Sequence, residues 1–156
     1  MQLSELIDPE RVLLPFEADS RWDAIEQMVA RLVRIGAVPE AESTAVLEAV
    51  RRREATRSTG MEHGIALPHG PVDCVDSVQA VLAISRNGVP FEALDRKPAQ
   101  IILLLVVPYN LFQQHVRTLA GIARLLNEES LRRRLTAATS AEEVCGLIRE
   151  DVASRK

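Results

Sequence analysis

Apolar side chains recur every three or four residues over positions 20–35, at Trp22, Ile25, Met28, Val29, Leu32 and Val33, which predicts a helix with one buried face. Ser20 with Asp23 makes a near capping box at its start, and Gly36 stops it. A second helix is predicted after Pro39, through Val46, Leu47 and Val50 to about Glu54. From Ser58 the period changes. Ile65-Ala66-Leu67, held between Gly64 and Pro68, has room only for a brief strand or extended turn. Residues 78–84 read as a strand, with Asn87-Gly88 behind them as a hairpin-turn signal. Residues 101–107 form an unbroken, β-branched-rich run that suits a central strand covered on both faces. Helical spacing returns over about 115–126, 131–137 and 140–152, the last opened by a capping box of Ser140 and Glu143. Helices flanking a strand-rich middle predict an α/β domain with helices on the faces of one sheet.

The chain has 156 residues, enough for one domain with a real core, and shows no repeat, low-complexity tract or linker. Its 47% apolar and 26% charged residues and net charge of −3 exclude a disordered chain and give no sign of broad nucleic-acid binding. Arg51-Arg52-Arg53 and Arg132-Arg133-Arg134 are the basic concentrations, and as clusters they read as solvated helix faces. Cys74 and Cys145 stand far apart without metal-type spacing, which suggests a reducing compartment. The opening Met1-Gln2-Leu3-Ser4-Glu5 lacks the features of a signal peptide, and the 101–107 run is about a third of a membrane span. The expectation is a soluble, cytoplasmic protein with no membrane insertion.

Candidate chemistry gathers at histidine. His63 and His69, two of the three in the chain, lie in a segment broken by Gly60, Gly64, Pro68, Gly70 and Pro71. Glycines there let the backbone approach a ligand, and Pro68 and Gly70 would present the His69 imidazole from a stiff turn. Near neutral pH such a ring can serve as base, nucleophile or ligand. A plain surface histidine explains the residue types as well. His115, the third, follows the 101–107 run by a short loop and shares a helical face with Leu119, Ile122 and Leu126. It is therefore expected to point inward near the carboxyl end of a central strand. Arg53 closes a predicted helix just before this segment, where its guanidinium could grip a phosphate or carboxylate with two prongs. Ser58 and Thr59 bring hydroxyl donors, or serve as turn residues.

The order of these residues carries more than each alone. Arg53-Glu54-x-x-x-Ser58-Thr59-Gly60, then Gly64-Ile65-Ala66-Leu67-Pro68-His69-Gly70, closely resembles the signature of fructose/mannitol-type enzyme IIA domains of the bacterial phosphoenolpyruvate-dependent phosphotransferase system. The likeness continues through Phe91, Asp95-x-x-Pro98, Val107-Pro108 and His115-x-x-x-Leu119-x-x-x-Ala123, and covers nearly the whole chain. The opening Gln2-Leu3-Ser4-Glu5-Leu6 and the ending Arg133-Arg134-Leu135-x-Ala137-Ala138 look most like the free-standing nitrogen-regulatory members. The resemblance implies one α/β domain over residues 1–156, with a mixed sheet of about five strands flanked by helices on both faces. It implies phosphorylation of His69, with His115 as site partner, Arg53 stabilising the phosphoryl group and Ser58 and Thr59 binding it. It implies no metal and no cofactor. The donor would be a histidine phosphocarrier protein charged by enzyme I, and the recipient a regulatory target or a IIB domain.

Three positions depart from the family pattern. Glu62 stands where glycine is usual and could set a carboxylate near the phosphoryl group, His63 reads as a surface residue, and Pro71 replaces a common lysine. Other readings are a sugar-transport enzyme IIA serving a separate permease, and a regulatory binding module whose phosphorylation is vestigial or only a switch. A metal hydrolase with His63, His69 and His115 as ligands has the count for an open zinc site but no acidic residue at a ligand spacing.

Overall fold

The computed structural model describes residues 2–154. Within them the elements run α1 (Leu3–Leu6), β1 (Val12–Leu13), α2 (Arg21–Arg34), α3 (Ser43–Thr56), β2 (Gly60–Met61), β3 (Ile65–Ala66), β4 (His69–Val72), β5 (Gln79–Val89), β6 (Ala99–Pro108), α4 (Phe112–Leu126), α5 (Glu129–Ala137) and α6 (Ala141–Ser154). The sheet is mixed and has six strands among the described residues, in the order β1-β5-β6-β3-β2, with β4 also paired to β6. This agrees with the expected mixed sheet of about five strands, and β1, β2 and β3 are only two residues long.

β6 is the spine. Its odd positions Ile101, Leu103, Leu105 and Val107 join Ile122, Leu126, Leu135, Val144 and Ile148 of α4–α6. Its even positions Ile102, Leu104 and Val106 join Ile25, Met28, Leu32, Val46 and Val50 of α2 and α3. The pleat's period of two therefore makes two cores from one strand, with helices on both faces. Each side chain so buried contributes about 1.5–3 kcal/mol.

The predicted helices form, with local differences. Ser20 Oγ accepts from Asp23 N–H at 3.1 Å, but the Asp23 carboxylate reaches back to Asp19 N–H rather than to Ser20. α6 repeats the device, with Ser140 Oγ accepting from Glu143 N–H at 3.1 Å and Glu143 accepting from Thr139 N–H at 2.9 Å. α4 begins at Phe112, a turn before the predicted start. Asn87-Gly88 is not a hairpin turn. β5 runs on to Val89, and the pairing slips between Ile84↔Ile101 and Val89↔Ala99. Gly88, at φ +80°, donates to Ser85 Oγ at 3.2 Å and forms a bulge pressed on Pro98, so the chain reverses in the longer 90–98 loop.

β3 and β4 lie in succession along the same edge of β6, parallel to it. Pro68 has no N–H and interrupts the ladder, although its carbonyl still accepts from Leu105 N–H at 3.0 Å. β2 folds back antiparallel on β3. The glycine-rich segment thus becomes a broken edge strand.

Candidate functional site

Alternation along β4 sends His69 and Gly70 to opposite faces. His69 pairs in register with Leu105 and shares its face, where the Phe112 ring of α4 stacks on it, centroids 6.2 Å apart and planes 19° apart. Gly70 turns to the other face, where a Cβ would stand 3.0–3.1 Å from the backbone of Ala49 and Val50. The missing side chain lets α3 lie directly on β4, which brings the end of α3, Arg53 and Glu54, beside the 57–60 loop.

A cleft of about 280 Å³ opens there, lined by Arg53, Arg57, Ser58, Thr59, Gly60, Met61, Leu67 and His69. His69 Nδ1 lies 2.9 Å from the Leu67 carbonyl oxygen. A carbonyl only accepts, so Nδ1 holds the proton and Nε2 presents its lone pair. Burial lowers the His69 pKa, with the Arg53 charge adding to it, while the Leu67 bond and the Glu54 charge oppose. The ring is therefore neutral and nucleophilic at pH 7.

Arg53 donates through Nη1 to the Arg57 carbonyl at 2.8 Å and keeps further N–H groups for a ligand. Ser58 and Thr59 line the cleft, but their hydroxyls are engaged. Ser58 donates to the Phe91 carbonyl and accepts from Gly60 N–H, and Thr59 donates to Glu54. The Glu54 carboxylate is 1% exposed and also accepts from Thr59 N–H at 2.9 Å and Arg21 Nη1 at 3.1 Å. Arg21 reaches Glu92 at 3.4 Å and lies over the Trp22 ring. This buried pair braces the loop from beneath.

His115 does not line the cleft. It sits one helical turn beyond Phe112, half-buried, with its Nδ1 buried and, among the described residues, without a hydrogen-bond partner. Glu62 and His63 occupy an exposed turn and pair with each other at 3.8 Å, so the Glu62 carboxylate is directed to solvent and outside the cleft lining. His63 has φ +70°, and its N–H bonds Asp95 at 2.9 Å. That bond, with a second from Lys97 N–H, holds the Asp95 carboxyl below its usual range. Pro71 lines a separate cleft with Cys74 and Glu42. Among the described residues no three His, Cys, Asp or Glu side chains are arranged to hold a metal ion, contrary to the three-histidine reading.

Sequence reasoning assigned no role to Glu54, Arg21, Phe112 or the Leu67 carbonyl. Glu54 was discoverable, because Val46, Val50 and Glu54 at i, i+4 and i+8 share the buried face of α3. Arg21 and Phe112 come from distant segments and carry no such local sign.

Residues 5–151 match the family model for the phosphoenolpyruvate-dependent sugar phosphotransferase system, EIIA 2. The chain belongs to this EIIA type 2 family. It is 30% identical to the PTS system fructose-specific EIIA component of Haloferax volcanii, over 96% of each chain. The nitrogen regulatory protein IIA-Ntr of Neisseria meningitidis superposes with a TM-score of 0.82 at 29% identity, over 94% of this chain and 98% of that one. Enzyme IIA mannitol of Escherichia coli, solved in complex with phosphorylated enzyme IIB mannitol, gives 0.78 at 25% identity, over 92% and 97%. This EIIA protein is thus a phosphoryl-carrying component of the phosphotransferase system, with both nitrogen-regulatory and sugar-transport relatives. No helix among its described residues is long and apolar enough to cross a membrane.

Proposed function

We propose that this EIIA protein accepts a phosphoryl group on His69 Nε2 from a histidine phosphocarrier protein, in the cytoplasm, and acts as a nitrogen-regulatory member of its family. The observation that carries the reading is the bond from His69 Nδ1 to the Leu67 carbonyl beside Arg53, which leaves Nε2 as the free nucleophile. In the transfer, the Nε2 lone pair forms the new P–N bond. The donor's P–N bond breaks with its electron pair left on the donor imidazole. His69 keeps its Nδ1 proton, and the Leu67 carbonyl offsets the positive charge gained by the ring. Such a loose transition state mainly asks for alignment and for cations near the equatorial oxygens. Arg53 supplies one. Ser58 and Thr59 act by shaping the cleft, with Gly60 N–H held in place by Ser58. His115 assists from α4 as a site partner without being the acceptor. No metal or cofactor enters.

The similarity to the N. meningitidis regulatory protein supports the regulatory assignment, with target proteins as recipients. The similarity to the fructose-specific component of H. volcanii supports a second reading, onward transfer to a IIB domain. Incubation with phosphoenolpyruvate, enzyme I and the histidine phosphocarrier, followed by intact-mass measurement, tests the core claim. One acid-labile, alkali-stable phosphoryl group is expected, absent from His69→Ala. An adduct that survives acid, or that persists in His69→Ala, overturns the assignment. Adding a fructose-type IIB domain separates the two readings, since the regulatory one expects no rapid discharge.

A further inference from the structure

Two arginines mark the end of α3, and the reading above uses one of them. A phosphoryl group on His69 carries about −1.5 to −2 charges at neutral pH. Arg53 brings a single positive charge, and the Arg21 charge beneath the cleft already faces the buried Glu54 carboxylate at 3.1 Å. The ring's own positive charge and Arg53 together offset that charge, but Arg53 alone among these groups has N–H donors to spare for the three phosphoryl oxygens. Arg57 lines the same cleft and is exposed. Its main chain is held where Arg53 Nη1 donates to its carbonyl. Among the described residues its guanidinium has neither a hydrogen bond nor an ion pair. Arg53 and Arg57 line this cleft together with His69.

We propose that Arg57 is a second phosphate-binding guanidinium, closing from the rim of the cleft onto the phosphoryl group carried by His69. The inference rests on His69 being the acceptor. A free arginine at this point can swing to a dianion and offer two parallel N–H donors, which no other unengaged cation lining the cleft provides. The competing role is a cation at the C-terminal end of α3, where the helix dipole favours positive charge.

The equilibrium constant for phosphoryl exchange with the histidine phosphocarrier decides between them. It depends on the stability of the free phosphorylated and unphosphorylated proteins, not on how well the two dock. Both proteins are weighed by intact mass after equilibration of wild type, Arg57→Gln and Arg57→Lys. Arg57→Gln should shift the equilibrium toward the donor by about three- to tenfold, the range for a charge-assisted contact at a half-open site. Arg57→Lys should recover part of that shift. Altered transfer rates with an unchanged equilibrium would make Arg57 a docking contact and overturn the proposal. So would a lowered unfolding temperature with an unchanged equilibrium, the mark of a helix-end role. A wild-type protein that takes no phosphoryl group, or a His69→Ala protein that does, overturns the His69 reading itself.

Discussion

The two faces of the sheet deliver different parts of the site and hold them in different ways. On the α2/α3 face, α3 lies against β4 through Gly70, and Glu54 is bonded to Thr59 and Arg21 with no exposed oxygen. On the α4 face, His69 meets a Phe112 ring 6.2 Å away and His115 Nδ1 has no hydrogen-bond partner among the described residues. The first face is over-determined by backbone contact and buried charge, and a change there costs stability as well as geometry. The second is held mainly by apolar packing and carries no comparable buried ion pair among the described residues. The end of α3 that carries Arg53 is thus rigidly held, and α4, which carries His115, is held by apolar packing.

Glu54→Ala tests the braced face most severely. It strands the Thr59 N–H and leaves Arg21 only the exposed Glu92 at 3.4 Å, and breaking a buried pair costs about 3–5 kcal/mol, toward the low end here because Arg21 keeps that partner and 14% exposure. Urea unfolding should show that loss, and a loss under 1 kcal/mol would mean the network does not brace the loop. Gly70→Ala should come next. Its Cβ meets main-chain atoms that cannot rotate away, so overpacking should cost about 1–3 kcal/mol and slow phosphorylation by moving Arg53 from His69. Wild-type rates in Gly70→Ala would show that the α3–β4 contact does not set the site.

His115→Ala probes the α4 face. Its unpartnered Nδ1 forfeits no hydrogen bond, so stability should change by less than about 1 kcal/mol, while phosphorylation of His69 slows by up to about 10²–10³. Coincident phosphorylation and hydrolysis time courses for wild type and His115→Ala would reduce His115 to a packing residue. The smallest effect is that of pH on wild type. Because the folded His69 pKa lies below its usual 6.5, the unfolded chain binds the proton first as pH falls. The stability tied to the neutral ring is therefore complete above about 6.5 and is lost as pH drops through the folded value. Phosphoryl acceptance should likewise hold at pH 6.5 and decline only below it. A midpoint at or above 6.5 in an NMR titration of the His69 ring would contradict the burial of this histidine.

Much of this was legible in residue order because it depends on local period. The 101–107 run announced a strand buried on both faces, and it is β6 with a core on each side. The α2 pattern announced its buried face, because helical spacing and the direction of burial are the same information. Asn87-Gly88 misled for a physical reason, since the left-handed glycine that closes a two-residue hairpin also makes a bulge, and only the partner strand tells which. His69 was singled out by its resemblance to a family motif, but its tautomer depends on a carbonyl two residues back whose direction is a property of the folded edge strand.

By itself, then, the sequence determined the α/β class, the buried spine and the helices, all consequences of spacing along one chain. The tertiary structure alone decided that Gly70 seats α3 on β4, that Glu54 faces Arg21 from 33 residues away, and that Phe112 rather than His115 is the ring stacked on His69. Those contacts join segments whose separation in sequence carries no period, and their geometry exists only once both cores have formed.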